Sequence, residues 1–173
     1  ASREALLAAV KAFSDSVREG DELAFYFSGH GFQFEDSMYL ATSDTAVETV
    51  DLAKRSALRL SDVVQQLERN RPSALLAVLD ACRDSPYQSQ TKSVTARNLI
   101  GEPASAFAPP RGRMFVMSSS GGQASIDNFG PRDTSPYSLF TRVFLEEVRA
   151  AAQSLRAIMP RVRDRVSQLA REG

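Results

Sequence analysis

The chain has 173 residues, 43% hydrophobic and 24% charged, which fits one soluble globular domain large enough to bury a core. Lys+Arg and Asp+Glu balance at 21 each, so no global field favours nucleic acid or a membrane surface. A single cysteine excludes an internal disulfide and a four-thiolate zinc site, and no apolar run reaches the length of a membrane span. No basic-then-apolar leader opens the chain. A reducing, cytoplasmic setting fits this composition, and so does an exported chain whose leader has been removed.

Residues 3–18 predict an amphipathic helix with Ala5, Leu6, Ala9, Val10, Phe13 and Val17 on one face, ended by Gly20-Asp21. Leu23 to Phe27 is a nearly continuous, aromatic-rich apolar run, which reads as a buried strand broken by Ser28-Gly29-His30-Gly31. Met38-Tyr39-Leu40 reads as a small strand paired with Phe32 to Phe34 in a hairpin. Ser61-Asp62 opens a helix through Arg69 with Leu60, Val63, Val64 and Leu67 inward, stopped by Pro72. Ala74 to Leu79 is a second buried strand, and Met114 to Met117 a third. Between them, residues 83–112 lack periodicity, and a loop of that length in a compact domain is usually functional or disordered. A helix carries Leu139, Phe140, Val143, Phe144, Leu145 and Val148. The tail, Ala157 to Leu169, reads as a basic amphipathic helix with Pro160 in its first turn.

This order predicts an α/β domain with a mostly parallel sheet, whose ligands bind at the carboxyl ends of the strands. The exits of the three strands are His30, Cys82 and Ser118. His30 and Cys82 are the single histidine and the single cysteine of the chain. A thiol attacks only as thiolate, and a nearby imidazole favours that form and can then protonate a leaving amine. Acyl transfer also needs donors for the developing oxyanion. Gly31 allows close backbone approach, which makes its N–H a candidate donor beside that of Cys82.

Ser28-Gly29-His30-Gly31 after an apolar strand, with Asp80-Ala81-Cys82-Arg83 placing its thiol 52 positions after the histidine, resembles the caspase-like cysteine peptidases. The Asp-Ala-Cys-Arg form is similar to the metacaspase and paracaspase branch, and most of all to its bacterial members, the orthocaspases. Met114 to Ser120 and Ser135 to Phe140 resemble the later, small-subunit part of that domain. The resemblance implies a three-layer α/β/α sandwich with a mostly parallel central sheet. It implies a single domain over 1–173, with a large-subunit-like part over about 1–90, a loop over about 83–112 and a small-subunit-like part over about 113–173. The family fold carries a first strand before, and a last strand after, the elements legible here. Both are therefore expected to be absent from this chain, or supplied by a missing segment or a partner chain; the expected assembly is otherwise a monomer.

By the same resemblance His30 is the general acid/base, Cys82 the nucleophile, and the N–H groups of Gly31 and Cys82 the oxyanion hole. Asp80 stands where caspases carry glutamine, and a carboxylate there attracts arginine or lysine, so cleavage after basic P1 residues is expected. Ser118 and Ser119 are candidates for the wall of the substrate cleft. Arg83 reads as a scaffold residue, and Asp44 as a turn residue or a part of the active-site region. Lys92, Arg97, Arg111 and Arg113 are candidates for self-processing, with a solvated loop as the plainer alternative. Neither cofactor nor metal is expected. The resemblance leaves calcium dependence open, but Asp36, Asp44, Asp84, Asp127 and Asp133 show no ligand spacing. The expected partner is a protein or peptide substrate, with no nucleic acid and no membrane. A reading from another class is a non-catalytic caspase-like interaction module.

Overall fold

The computed structural model describes residues 1–35, 37–81, 112–118, 133–150 and 154–172. They fall into two compact units, Ala1–Gln123 and Ala124–Gly173. The first unit runs α1 (Arg3–Ser16), β1 (Glu22–Gly29), β2 (Gly31–Phe34), β3 (Ser37–Leu40), α2 (Val50–Ser56), β4 (Leu58–Arg59), α3 (Leu60–Glu68), β5 (Ala74–Ala81) and β6 (Arg113–Met117). The second holds α4 (Leu139–Ala150) and α5 (Leu155–Glu172).

Among the described residues β1, β5 and β6 form a parallel sheet in that order. This is the mixed α/β architecture with a parallel sheet that the pattern predicts. The register runs from Glu22 opposite Ala74 to Gly29 opposite Ala81, and from Leu75 opposite Arg113 to Leu79 opposite Met117. Successive side chains of a strand alternate between the sheet's faces. Leu23, Phe25 and Phe27 share one face with Leu75 and Leu79, in one core with Leu6 and Val10 of α1 and Leu60, Val63 and Leu67 of α3. Leu60, Leu67 and Leu75 are sealed from solvent, each contributing roughly 1.5–3 kcal/mol relative to exposure. Strand β5 is buried through its last five residues, which explains its unbroken apolar run. Strand β1 is not buried on both faces as its sequence suggests. Glu22, Ala24, Tyr26 and Ser28 are exposed, because in the described sheet β1 lies at an edge, paired only with β5.

Helix α1 ends two residues before the predicted limit and is rolled from its predicted face. Leu6, Val10, Ser14 and Val17 turn inward, while Ala5, Ala9 and Phe13 are exposed. A polar anchor accounts for the roll. The buried Ser14 hydroxyl donates to the Gln66 carbonyl of α3 at 2.6 Å, and Asn70 Nδ2 donates to the Ser14 and Val17 carbonyls. Pointing Phe13 inward would turn Ser14 away from that carbonyl.

The chain leaves the parallel sheet at His30 and builds a second, antiparallel sheet, β2-β3-β4. The predicted hairpin is its core, with Phe32 opposite and stacked on Tyr39 at 5.1 Å. Helix α2 is not foreseen by the periodicity, since it has 7 residues and buries only Ala53. Its signals are those of its ends: Thr49 caps it by accepting from the Leu52 N–H, Asp51 lies in its first turn, and Lys54 and Arg55 in its last.

In the second unit α4 buries Leu139, Phe140, Val143 and Phe144, and Ser138 caps it by accepting from the Thr141 N–H. Helix α5 begins at Leu155, so Pro160 lies inside it and not in the first turn. Its ring removes an N–H from the helical ladder. The start is held instead by Ala157 and Ile158 N–H groups donating to the Ser154 carbonyl. Arg161 and Arg165 of α5 donate to Glu147 of α4, and Arg165 also to Glu146. Those two guanidinium groups hold the Glu147 carboxyl below its ordinary pKa.

The entry to β6 depends on Gly112. Its φ is +83°, and a Cβ there would stand 2.5 Å from the Ser73 carbonyl oxygen. Its own carbonyl accepts the Leu75 N–H at 2.9 Å. Gly112→Ala is therefore expected to destabilise the protein by about 2–4 kcal/mol, combining backbone strain with a backbone clash. Urea denaturation checks this; an unchanged midpoint would show that Ser73 yields without cost.

Candidate active site

Parallel pairing sets the carboxyl ends of β1 and β5 side by side, closing with Gly29 opposite Ala81. His30 follows Gly29 directly and joins the two sheets. Its carbonyl accepts the Ala41 N–H at 2.9 Å, so the backbone is fixed while the ring is exposed. Gly29 allows the turn in a packing sense as well: a Cβ there would stand 3.2 Å from the Phe27 ring.

Gly31 opposes Leu40 in the antiparallel ladder. The bond from Ala41 to His30 brackets that pair from outside, which marks Gly31–Leu40 as a non-hydrogen-bonded pair. The Gly31 N–H therefore points away from β3 and is not spent on the ladder. Leu40 is 1% exposed, so Gly31 is anchored to the core through its partner.

Asp80 lies opposite Ser28 and is 4% exposed. It sits on the sheet face that carries Tyr26 and Ser28, the reverse of the face shared by Leu79 and Ala81. The Ser118 N–H donates to the Leu79 carbonyl at 3.0 Å, and the next step of the register sets Ser118 level with Asp80. Ser28, Asp80 and Ser118 thus form a row across three strand ends. Ser28 is absent from the candidates read from sequence, since only the pairing register reveals it. Cys82, Ser119, Arg83, Lys92, Arg97 and Arg111 lie outside the described residues, as do Asp36, Asp84 and Asp127.

The result is one sheet edge with a fixed histidine, a glycine N–H that the β2–β3 ladder does not use and a buried carboxylate. The family model for the caspase domain matches residues 1–173. The chain belongs to the caspase-domain family. A relative described as a probable protease, from a Desulfuromonadales bacterium, is 25% identical over 118 residues. The match covers 68% of this chain, which spans only 14% of that protein's length.

Other charged candidates in this caspase domain are engaged elsewhere. Arg113 opens β6, pairs with Glu68 and donates to the Pro72 carbonyl, so it braces the sheet and is not an exposed loop residue. Asp133 accepts both arms of Arg142. Among the described residues no three His, Cys, Asp or Glu side chains gather as a metal would require, and no helix is long and apolar enough to cross a membrane.

Asp44 takes its turn reading. Its carboxylate accepts the Thr42 hydroxyl at 2.7 Å and the Arg3 N–H at 2.8 Å, tying the start of α1 to the turn after β3. The Thr42 hydroxyl first, and the Arg3 N–H second, lower its pKa. A carboxyl whose pKa is lowered by folding adds stability above its unfolded value, about 4, and loses it as pH falls through the lower folded value. The difference in thermal midpoint between wild type and Asp44→Asn should therefore be largest near neutral pH and shrink below about pH 4. An equal difference at both ends of that range would count against this role.

Proposed function

We propose that this caspase domain is a cysteine endopeptidase of the metacaspase and paracaspase type that cleaves after arginine or lysine. The observation that carries the reading is the pairing of Gly29 with Ala81, because His30 and Cys82 are each one peptide bond beyond it. Neighbouring strands lie about 4.8 Å apart, and one residue advances the chain by at most 3.8 Å. That spacing suits a thiol and an imidazole acting together.

In the proposed reaction the Cys82 thiolate attacks the scissile carbonyl carbon. The charge developing on the carbonyl oxygen is met by the Gly31 N–H, together with that of Cys82. His30, protonated, gives its proton to the departing amine, and the C–N bond breaks to leave a thioester. Water then attacks the thioester carbon, His30 takes its proton, and the thiol leaves with the acid product released. Asp80 supplies negative charge beneath the P1 side chain, with Ser28 and Ser118 beside it as hydroxyl donors or acceptors. A guanidinium or ammonium entering there exchanges water for a charge-assisted bond. An acidic P1 residue meets repulsion in a poorly hydrated place.

Hydrolysis of peptides differing only at P1, combined with mass spectrometry after treatment with a basic acyloxymethyl ketone, tests the assignment. Cys82→Ala should lower turnover by about a thousandfold or more and abolish labelling, with an unchanged circular dichroism spectrum. A wild-type chain that is neither labelled nor active would be a non-catalytic module. Asp80→Asn should reduce kcat/KM for P1 arginine about tenfold to a hundredfold, and reduce the preference for arginine over aspartate with it. Loss of stability with that preference intact would make Asp80 structural. Cleavage after aspartate as fast as after arginine would overturn the specificity.

A further inference from the structure

A groove of about 790 Å³ runs between α1, α3 and β4, away from the strand ends that carry His30 and Asp80. A shallower depression sharing Asp62, Gln65, Gln66 and Arg69 extends it across α3. Its rim is strongly cationic in a chain of zero net charge: Arg3, Lys54, Arg55, Arg59 and Arg69 line it, with Asp62 as the acid, and so does Lys11, which pairs with Asp15. Among the described residues none of the other five cations forms an ion pair. Elsewhere many arginines are matched, as Arg71 is by Glu19, Arg113 by Glu68, Arg142 by Asp133 and Arg165 by Glu146 and Glu147, and the unmatched Arg18, Arg149, Arg156 and Arg171 do not line the groove.

Two of the unmatched guanidinium groups are already oriented. Arg59 donates to the Tyr39 hydroxyl at 3.2 Å, and Arg3 Nε donates to the Ala57 carbonyl at 3.3 Å. Lys54 is held over the Phe34 ring at 4.2 Å. Ordering such long side chains in advance reduces the entropy lost on binding. Between the cations Leu7, 39% exposed, and the half-buried Val10 offer apolar surface above the buried Leu58 and Val63, with Gln65 and Gln66 beside them.

We propose that this groove docks an acidic segment of a partner protein, one whose carboxylates alternate with aliphatic side chains. Forked guanidinium groups match carboxylates in paired hydrogen bonds. Leu7 and Val10 give the aliphatic side chains a contact that a bare polyanion would not use. The groove is open to solvent and continues into the depression across α3, which suits a stretch of chain more than a compact small molecule. The proposal is independent of the peptidase reading, since none of its residues belongs to the candidate active site.

Fluorescence polarisation of the full chain with a short labelled peptide of Glu, Leu and Ser tests it. Binding should weaken as salt rises, and fail when Gln replaces Glu in the peptide. Arg55 and Arg69 are both exposed, so the double variant Arg55→Glu/Arg69→Glu should keep its circular dichroism spectrum while weakening binding about tenfold or more. The pair Arg18→Glu/Arg156→Glu changes net charge equally outside the groove and should leave affinity within about twofold. The proposal is overturned if the Gln peptide binds as well, if the groove variant binds unchanged, or if only inorganic polyphosphate binds.

Discussion

The backbone ladder between β1 and β5 is the constraint on which the rest depends. It joins two stretches that share no local sequence relation. By fixing Gly29 against Ala81 it decides which residues reach the sheet edge together and which faces they occupy. A slip of one residue would exchange the faces, sending Asp80 into the aliphatic core in place of Leu79 and turning Leu79 to the opposite face. The cost of burying an unpartnered carboxylate makes that alternative register expensive. Phe27 and Leu79 on one face, and Ser28 and Asp80 on the other, therefore specify the same alignment from opposite sides.

Polar contacts set the rotation of elements that the apolar residues only bring together. The Ser14 hydroxyl and the Asn70 amide fix how α1 rolls on α3. Arg113 and Glu68 tie the entrance of β6 to the end of α3, where Gly112 admits the Ser73 carbonyl. In the second unit Glu147 gathers two arginines from α5. None of these has the area of a core leucine, yet each selects one orientation among several of similar apolar burial.

Much of this was legible in the amino-acid order, and the rest was hidden for identifiable reasons. Strand β5 and helix α3 are plain because their apolar pattern and their burial coincide. Strand β1 misleads because aromatic residues on its covered face alternate with Ala24 and Tyr26, which an edge strand leaves exposed. Phe13 misleads because the residue that decides the roll, Ser14, has its partner 52 positions away at Gln66. Helix α2 shows only its caps, being too short to display a stripe. Pro160 suggests a helix start because proline favours a first turn, although the helix begins five residues earlier, after Ser154. At the candidate site His30, Gly31 and Asp80 follow from motif and spacing, but Ser28 and the orientation of the Gly31 N–H follow only from the ladder.

The crossover between β1 and β5 also has a kinetic side. Gly29 and Ala81 stand 52 residues apart (81 − 29), with a second sheet and two helices formed between them. Closing a flexible loop of that length costs roughly 3.5 kcal/mol of chain entropy, which only the completed core recovers. Contacts of such separation form with or after the rate-limiting step of folding, not before it. A nascent or partly folded chain thus holds His30 and Asp80 far apart. Their juxtaposition is an all-or-none property, acquired at the moment the domain becomes globular and lost with its first global opening.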